Sequence, residues 1–305
     1  MALTLATLAC DTRREPPPTE RSPGADRPAA CPTRGSCAVE AHLRGRADLA
    51  LFEDWNDEHW ADHWTGVKDR RNLMVVTIDG RRALRVRVPR DKHDGATLHF
   101  AYQAAGLPEP EEAYLRYHVR FDETWRRLGG GEIGKLPGFA GTYNQAGWGG
   151  RRADGRSGWS ARMMGYDRGK TVQVGFYVYH PDMGVWGDNL PWPGSLERDR
   201  WYCLEARVRL NSIAGSRGNP DGILEGWVDD RLVFSKRDLR FRDIDALKIE
   251  QVWGNVYVGG IWTADRNMTL YLGDVVIAQA PIGCGAAQPE PVTRDGAGAA
   301  PPPGS

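Results

Sequence analysis

The sequence predicts an all-β fold, a single jelly roll or β-sandwich of two antiparallel sheets, and three observations predict it. Apolar residues recur with a period of two, clusters of Gly, Pro, Asp and Asn separate the runs, and 12 Trp and 37 Gly stand in a chain that is only 41% hydrophobic. Alternate strand residues share a face, so this period sends every second side chain to a core. In chain order, Leu84, Val86 and Val88 alternate with Arg85 and Arg87, and Leu115, Tyr117, Val119 and Phe121 alternate with Arg116, His118 and Arg120. Leu204, Ala206, Val208 and Leu210 repeat the pattern against Glu205, Arg207 and Arg209. The run from Trp227 to Val233 carries Asp229-Asp230 at its middle and reads as a hairpin with an acidic turn, and Leu270 to Ile277 reads as the closing strand. Short strands without helical stretches between them favour a sandwich over an α/β architecture. The expected domain spans residues 48–284, with no internal repeat.

The flanks have another composition. Met1 to Cys10 is a short apolar run without a basic start, and it reads as the tail of a secretory signal with a lipid anchor at Cys10 as one outcome. Residues 11–47 and the segment from 285 to 305 are rich in Pro, Gly, Arg and Ser or Ala, the composition of disordered tethers. Cys31 with Cys37 and Cys203 with Cys284 is the disulfide pairing expected in an oxidising compartment, so a secreted or periplasmic location is expected. No later apolar run is long enough to span a bilayer. The 40 basic and 40 acidic side chains cancel, which removes the global field that attracts nucleic acid or an anionic membrane. An anionic partner must then meet a local basic cleft, and the chain is read as a monomer.

Polar residues interrupt apolar strand patterns most clearly between Gly129 and Trp192. In Trp159-Ser160-Ala161-Arg162-Met163 the apolar residues share one face, which leaves Ser160 and Arg162 on the other. Val172, Val174, Phe176 and Val178 likewise share a core face opposite Tyr177 and Tyr179. A hairpin across Asp167-Arg168-Gly169-Lys170 would join a hydroxyl, a guanidinium and two phenols. These groups suit β-elimination from a uronic acid, which needs a partner for the carboxylate, a base for the C5 proton and an acid for the departing oxygen. Arg binds a carboxylate through paired hydrogen bonds, and a Tyr or Lys with a lowered pKa can be the base.

Gly134-Lys135-Leu136-Pro137-Gly138-Phe139-Ala140-Gly141, Gly158-Trp159-Ser160-Ala161-Arg162 and Tyr177-Val178-Tyr179-His180 resemble the successive motifs of polysaccharide lyase family 14, and in outline those of glucuronan lyase family 20. The resemblance runs from about Trp55 to Ile277. It implies a β-jelly roll that cleaves alginate or glucuronan, with Lys135, Ser160, Arg162, Tyr177 and Tyr179 as the catalytic group. Tyr177 or Tyr179 would be the acid and base, and Arg162 with Lys135 would meet the carboxylate. The stretch Asn144 to Ser157 enlarges one loop relative to the family pattern, and Gly165-Tyr166 stands where a substrate-facing aromatic is expected.

Arg116, His118, His180 and Trp186 are further candidate substrate contacts, and Trp192 could stack on a sugar. Glu53, Asp54 and Asp274 could hold a structural calcium ion. No spacing indicates a catalytic metal, and Gly129-Gly130-Gly131 lacks the residues of a phosphate-binding loop. Nothing indicates a nucleotide, flavin or haem. A non-catalytic carbohydrate-binding module on the same jelly roll is the competing function. A retaining glycoside hydrolase would need two acids facing one groove, a pattern not found beside the Trp-rich segment.

Overall fold

A computed structural model describes residues 42–260 and 262–285. The proposed signal, Cys10, Cys31, Cys37 and the C-terminal tail lie outside the described residues. In chain order the strands are β1 (Leu49–Glu53), β2 (Gly66–Lys68), β3 (Leu73–Ile78), β4 (Arg81–Val88), β5 (Asp94–Ala101), β6 (Glu112–Phe121), β7 (Gly131–Gly141), β8 (Trp159–Asp167), β9 (Thr171–Tyr179) and β10 (Asp188–Pro191). They continue as β11 (Leu196–Glu197), β12 (Trp201–Arg209), β13 (Ile213–Ala214), β14 (Arg217–Gly218), β15 (Gly222–Val228), β16 (Arg231–Leu239), β17 (Gln251–Trp253), β18 (Val256–Tyr257) and β19 (Met268–Ala278).

Apart from β13 and β14, which pair with each other as a separate two-stranded hairpin, the strands form the expected two antiparallel sheets. One runs β16-β15-β12-β6-β19-β4-β3, with β1 also on β19. The other runs β10-β9-β8-β7-β17-β5-β18, with β11 on β9 and β2 on β5. Leu115, Tyr117, Val119 and Phe121 point from the first sheet into the core, where they join Trp159, Ala161, Met163, Val174 and Phe176 from the second. The predicted alternation is therefore what closes the sandwich. β15 and β16 meet across Asp229 and Asp230, both at positive φ, the turn that matches strand twist in a tight hairpin.

Lys135-Leu136-Pro137-Gly138, which reads as a loop in the sequence, lies inside β7. Lys135 pairs with Met164 and Gly138 with Arg162, so β7 carries one residue more than β8 over that interval. This bulge lets Pro137 sit in a strand without breaking the ladder, and it turns Leu136 to the core while Lys135 stays on the outer face. Gly138 is required because a Cβ there would come within 2.5 Å of the Arg162 Cα. Cys203 and Cys284 form the expected disulfide, with Cα atoms 5.8 Å apart.

Candidate active site

The outer face of the second sheet collects the polar residues that strand parity separated from the core. Tyr177 pairs with Arg162 and Tyr179 with Ser160 across the β8–β9 hairpin, as predicted. Register extends this into a row that crosses the sheet: Asn189, Tyr177, Arg162, Gly138, Trp253 and His99 are successive partners. At ~4.8 Å per strand the row is about 24 Å long, enough for several sugar units. A neighbouring row holds Met164, Lys135, Tyr257 and Asp94.

In the middle of the first row Gly138 lets β7 lie close against the backbone of β8 at Arg162. The Arg162 guanidinium lies 5.0 Å from the centre of the Trp253 ring and 5.3 Å from that of Tyr257. Its Nε is buried and has no hydrogen-bond partner. Such a group retains capacity for a carboxylate.

Lys135 is 6% exposed. Its Nζ stands 3.5 Å from the centre of the Tyr177 ring and 2.8 Å from the Met164 Sδ, and no carboxylate among the described residues pairs with it. Burial, and then repulsion from Arg162, push the ammonium pKa down to about 7, against a smaller pull from Glu132. Lys135 is thus poised to exchange a proton near neutral pH. Burial, followed by the proximity of Tyr179, pushes the Tyr177 phenol up, so it keeps its proton under the same conditions.

Two members of the expected catalytic group are set apart by access. Ser160 is 0% exposed, and its Oγ donates to the Gly147 carbonyl at 2.5 Å. In this position its side chain anchors the enlarged loop, which covers it, and its hydroxyl is not exposed to the groove. Tyr179 is 2% exposed beneath Ala153 and Met183, whereas Tyr177 remains half-buried at the groove. His180 is buried, with Nε2 2.8 Å from the Asp188 Oδ2, which fastens the end of β9 to the start of β10. Trp186 is 62% exposed beside Gly150 at the margin of the site. Trp192 is packed on Phe176 in the core and does not line the Arg162 groove. Tyr166 faces outward, but its hydroxyl donates to Asn189.

Arg116 and His118 are not in this groove. Parity places them on an outer face, but β6 belongs to the other sheet, so they lie on the opposite side of the sandwich. There Arg116 is ion-paired with Asp274 at 3.2 Å and lies 3.2 Å from the His118 Nδ1, and burial pushes the His118 pKa down. The three acids considered for calcium are also separated by their partners: Glu53 meets His63, Asp54 meets Arg44, and Asp274 meets Arg81 and Arg116. Among the described residues no group of three or more His, Cys, Asp or Glu side chains could hold a metal ion.

The sequence reading missed His99, Gln251, Trp253 and Tyr257. With Arg162, Asn144 and Trp148 they line a cavity of about 460 Å³, which Arg162 and Tyr257 join to the Lys135–Tyr177 pair. The signal was the buried Val252 and Val256 among outward Gln251, Trp253 and Tyr257, in strands of three and two residues that are too short for a period to stand out.

The family model for polysaccharide lyase 14 matches residues 77–188, the stretch that contains Lys135, Ser160, Arg162, Tyr177 and Tyr179. Solved structures of similar fold include the alginate lyase Aly36B, with 22% identity and a TM-score of 0.61 over 75% of this chain and 96% of that one. They also include a marine alginate lyase of the same family from Aplysia kurodai, at 17% identity and 0.61 over 77% and 100% of the two chains. An endo-β-1,4-glucuronan lyase from the fungus Trichoderma reesei is similar at 13% identity and 0.52 over 76% and 96%. No curated protein matches the sequence.

Proposed function

We infer that this chain is a polysaccharide lyase, the activity named by the family model over residues 77–188, and that it cleaves a β-linked polyuronate of the alginate or glucuronan type by β-elimination. One observation carries the chemical reading: a lysine tuned to about 7 stands 3.5 Å from the ring of a tyrosine held protonated, beside an arginine with an unpartnered nitrogen. Arg162 pairs with the C6 carboxylate and makes the C5 proton more acidic. Neutral Lys135 removes that proton. The C5–H electron pair becomes the C4–C5 double bond, and the bond from C4 to the glycosidic oxygen breaks. Tyr177 donates its hydroxyl proton to the departing oxygen, and the Lys135 ammonium returns a proton to the phenolate, which restores both groups.

Base and acid act from one side of the sugar, so the elimination is syn. That relation between the C5 hydrogen and the C4 oxygen exists in β-mannuronate and β-glucuronate but not in α-guluronate. The expected result is therefore new ultraviolet absorbance, from the unsaturated uronate end, with mannuronate-rich or glucuronate polymers and little with guluronate blocks. Folded protein that binds these polymers without forming that product would establish a binding module instead. The proposed chemistry uses side chains alone. Export to the periplasm or the medium is proposed on the same footing, supported by the Cys203–Cys284 disulfide.

A further inference from the structure

We propose that the enlarged loop builds an additional uronate-binding subsite from Trp148 and Arg151; the proposal rests on the polyuronate reading above. The loop is held at both ends. Glu250 Oε2 accepts the backbone N–H groups of Thr142 at 2.8 Å and Tyr143 at 2.7 Å, Ser160 holds the Gly147 carbonyl, and Ala153 packs on Tyr179 and Met183. Between these anchors, Gly147 N–H donates to the Arg151 carbonyl and Arg151 N–H to the Trp148 carbonyl, both at 2.8 Å, so residues 148–151 form a closed turn. Preorganised turns lose little entropy on binding.

The turn carries a specific pair of groups, an exposed Arg151 beside the indole of Trp148. Trp148 lines the same cavity as Arg162 and Trp253. The Arg151 guanidinium lies 4.7 Å from the centre of the Trp148 ring. Among the described residues its only hydrogen bond is to the Asn144 carbonyl at 3.3 Å, and no carboxylate among them pairs with it. An indole offers a flat surface to the C–H groups of a pyranose ring, and a free guanidinium offers paired donors to its carboxylate. A neutral sugar would use only the first, so the pair selects for a charged one. The two carboxylates that line the cavity do not compete for Arg151: Glu250 is occupied by the loop base, and Asp94 lies on β5 in the Lys135 row.

Trp148→Ala and Arg151→Ala, with Arg151→Lys as the conservative control, test this in the full chain. On a polyuronate that the wild type cleaves, each alanine variant is expected to raise KM about fivefold to tenfold with kcat within about twofold. Arg151→Ala should also flatten the dependence of KM on salt, and Arg151→Lys should recover part of both. Calorimetric titration of the same polymers gives a readout independent of turnover. Binding that weakens in Arg151→Ala while the wild type forms no product would retain the subsite and overturn the lyase reading. Product formation with unchanged KM, salt dependence and affinity in both alanine variants would overturn the subsite and retain the lyase.

Discussion

Replacing Lys135 by Met should slow catalysis by orders of magnitude and stabilise the fold, and both effects follow from one buried ammonium. In the unfolded chain a lysine titrates near 10.4, whereas in the folded protein Lys135 titrates at about 7. The folded state thus binds fewer protons than the unfolded state between these values, and stability rises with pH across that window. Below about pH 7 both states are protonated and the full penalty for burying the charge is present, on the order of 5 kcal/mol. Lys135→Met keeps most of the side-chain volume without the charge. Its thermal midpoint should exceed that of the wild type at pH 6 to 7, with the gap narrowing toward pH 10, as read by calorimetry. The rate of product formation should fall by about 10²- to 10⁴-fold, the usual contribution of a general base. In the wild type, kcat/KM should rise through about pH 7 as Lys135 loses its proton. Glu132→Gln removes a charge that favours the ammonium, so it should move this limb to lower pH. A Met variant that is less stable at pH 6, or a limb that Glu132→Gln leaves in place, would refute the assignment of the limb to Lys135.

Three further outcomes follow from the geometry. Tyr177→Phe should lower kcat by about 10²-fold or more with KM little changed, and Tyr179→Phe should cost much less, because only Tyr177 reaches the groove; steady-state kinetics separate the two. Ser160→Ala leaves the buried Gly147 carbonyl without its donor, so denaturant titration should show a loss of about 1 to 3 kcal/mol, with KM raised as the loop loosens. Reduction of Cys203–Cys284, which are 81 residues apart in sequence, should lower stability by about 4 kcal/mol, measured by thermal unfolding with and without reductant.

Strand parity was sufficient to locate the fold and half of the site. From Trp159 to Met163 in β8 and from Val172 to Val178 in β9 the core residues alternate, so Arg162 and Tyr177 had to lie on outer faces, and a short turn had to bring them opposite each other. The same reasoning misplaced Arg116 and His118, because parity identifies the face of a sheet and not which sheet the strand joins. It also gave Ser160 and Tyr179 the same standing as their neighbours, although a loop more than ten residues away in sequence from Tyr179 covers both.

The alternation of apolar residues along each strand is a local property of the chain, and it dictated the two-sheet sandwich, the Asp229-Asp230 hairpin and the outward direction of Arg162 and Tyr177. Long-range pairing decided the rest. Only when β17 lies beside β7, and β18 beside Lys135, do Trp253 and Tyr257 reach Arg162. Only the bulge in β7 and the burial around it set Lys135 against Tyr177 and bring its pKa to about 7. A proton affinity depends on the dielectric and charges that surround a group in space, and those are assembled by residues distant in sequence.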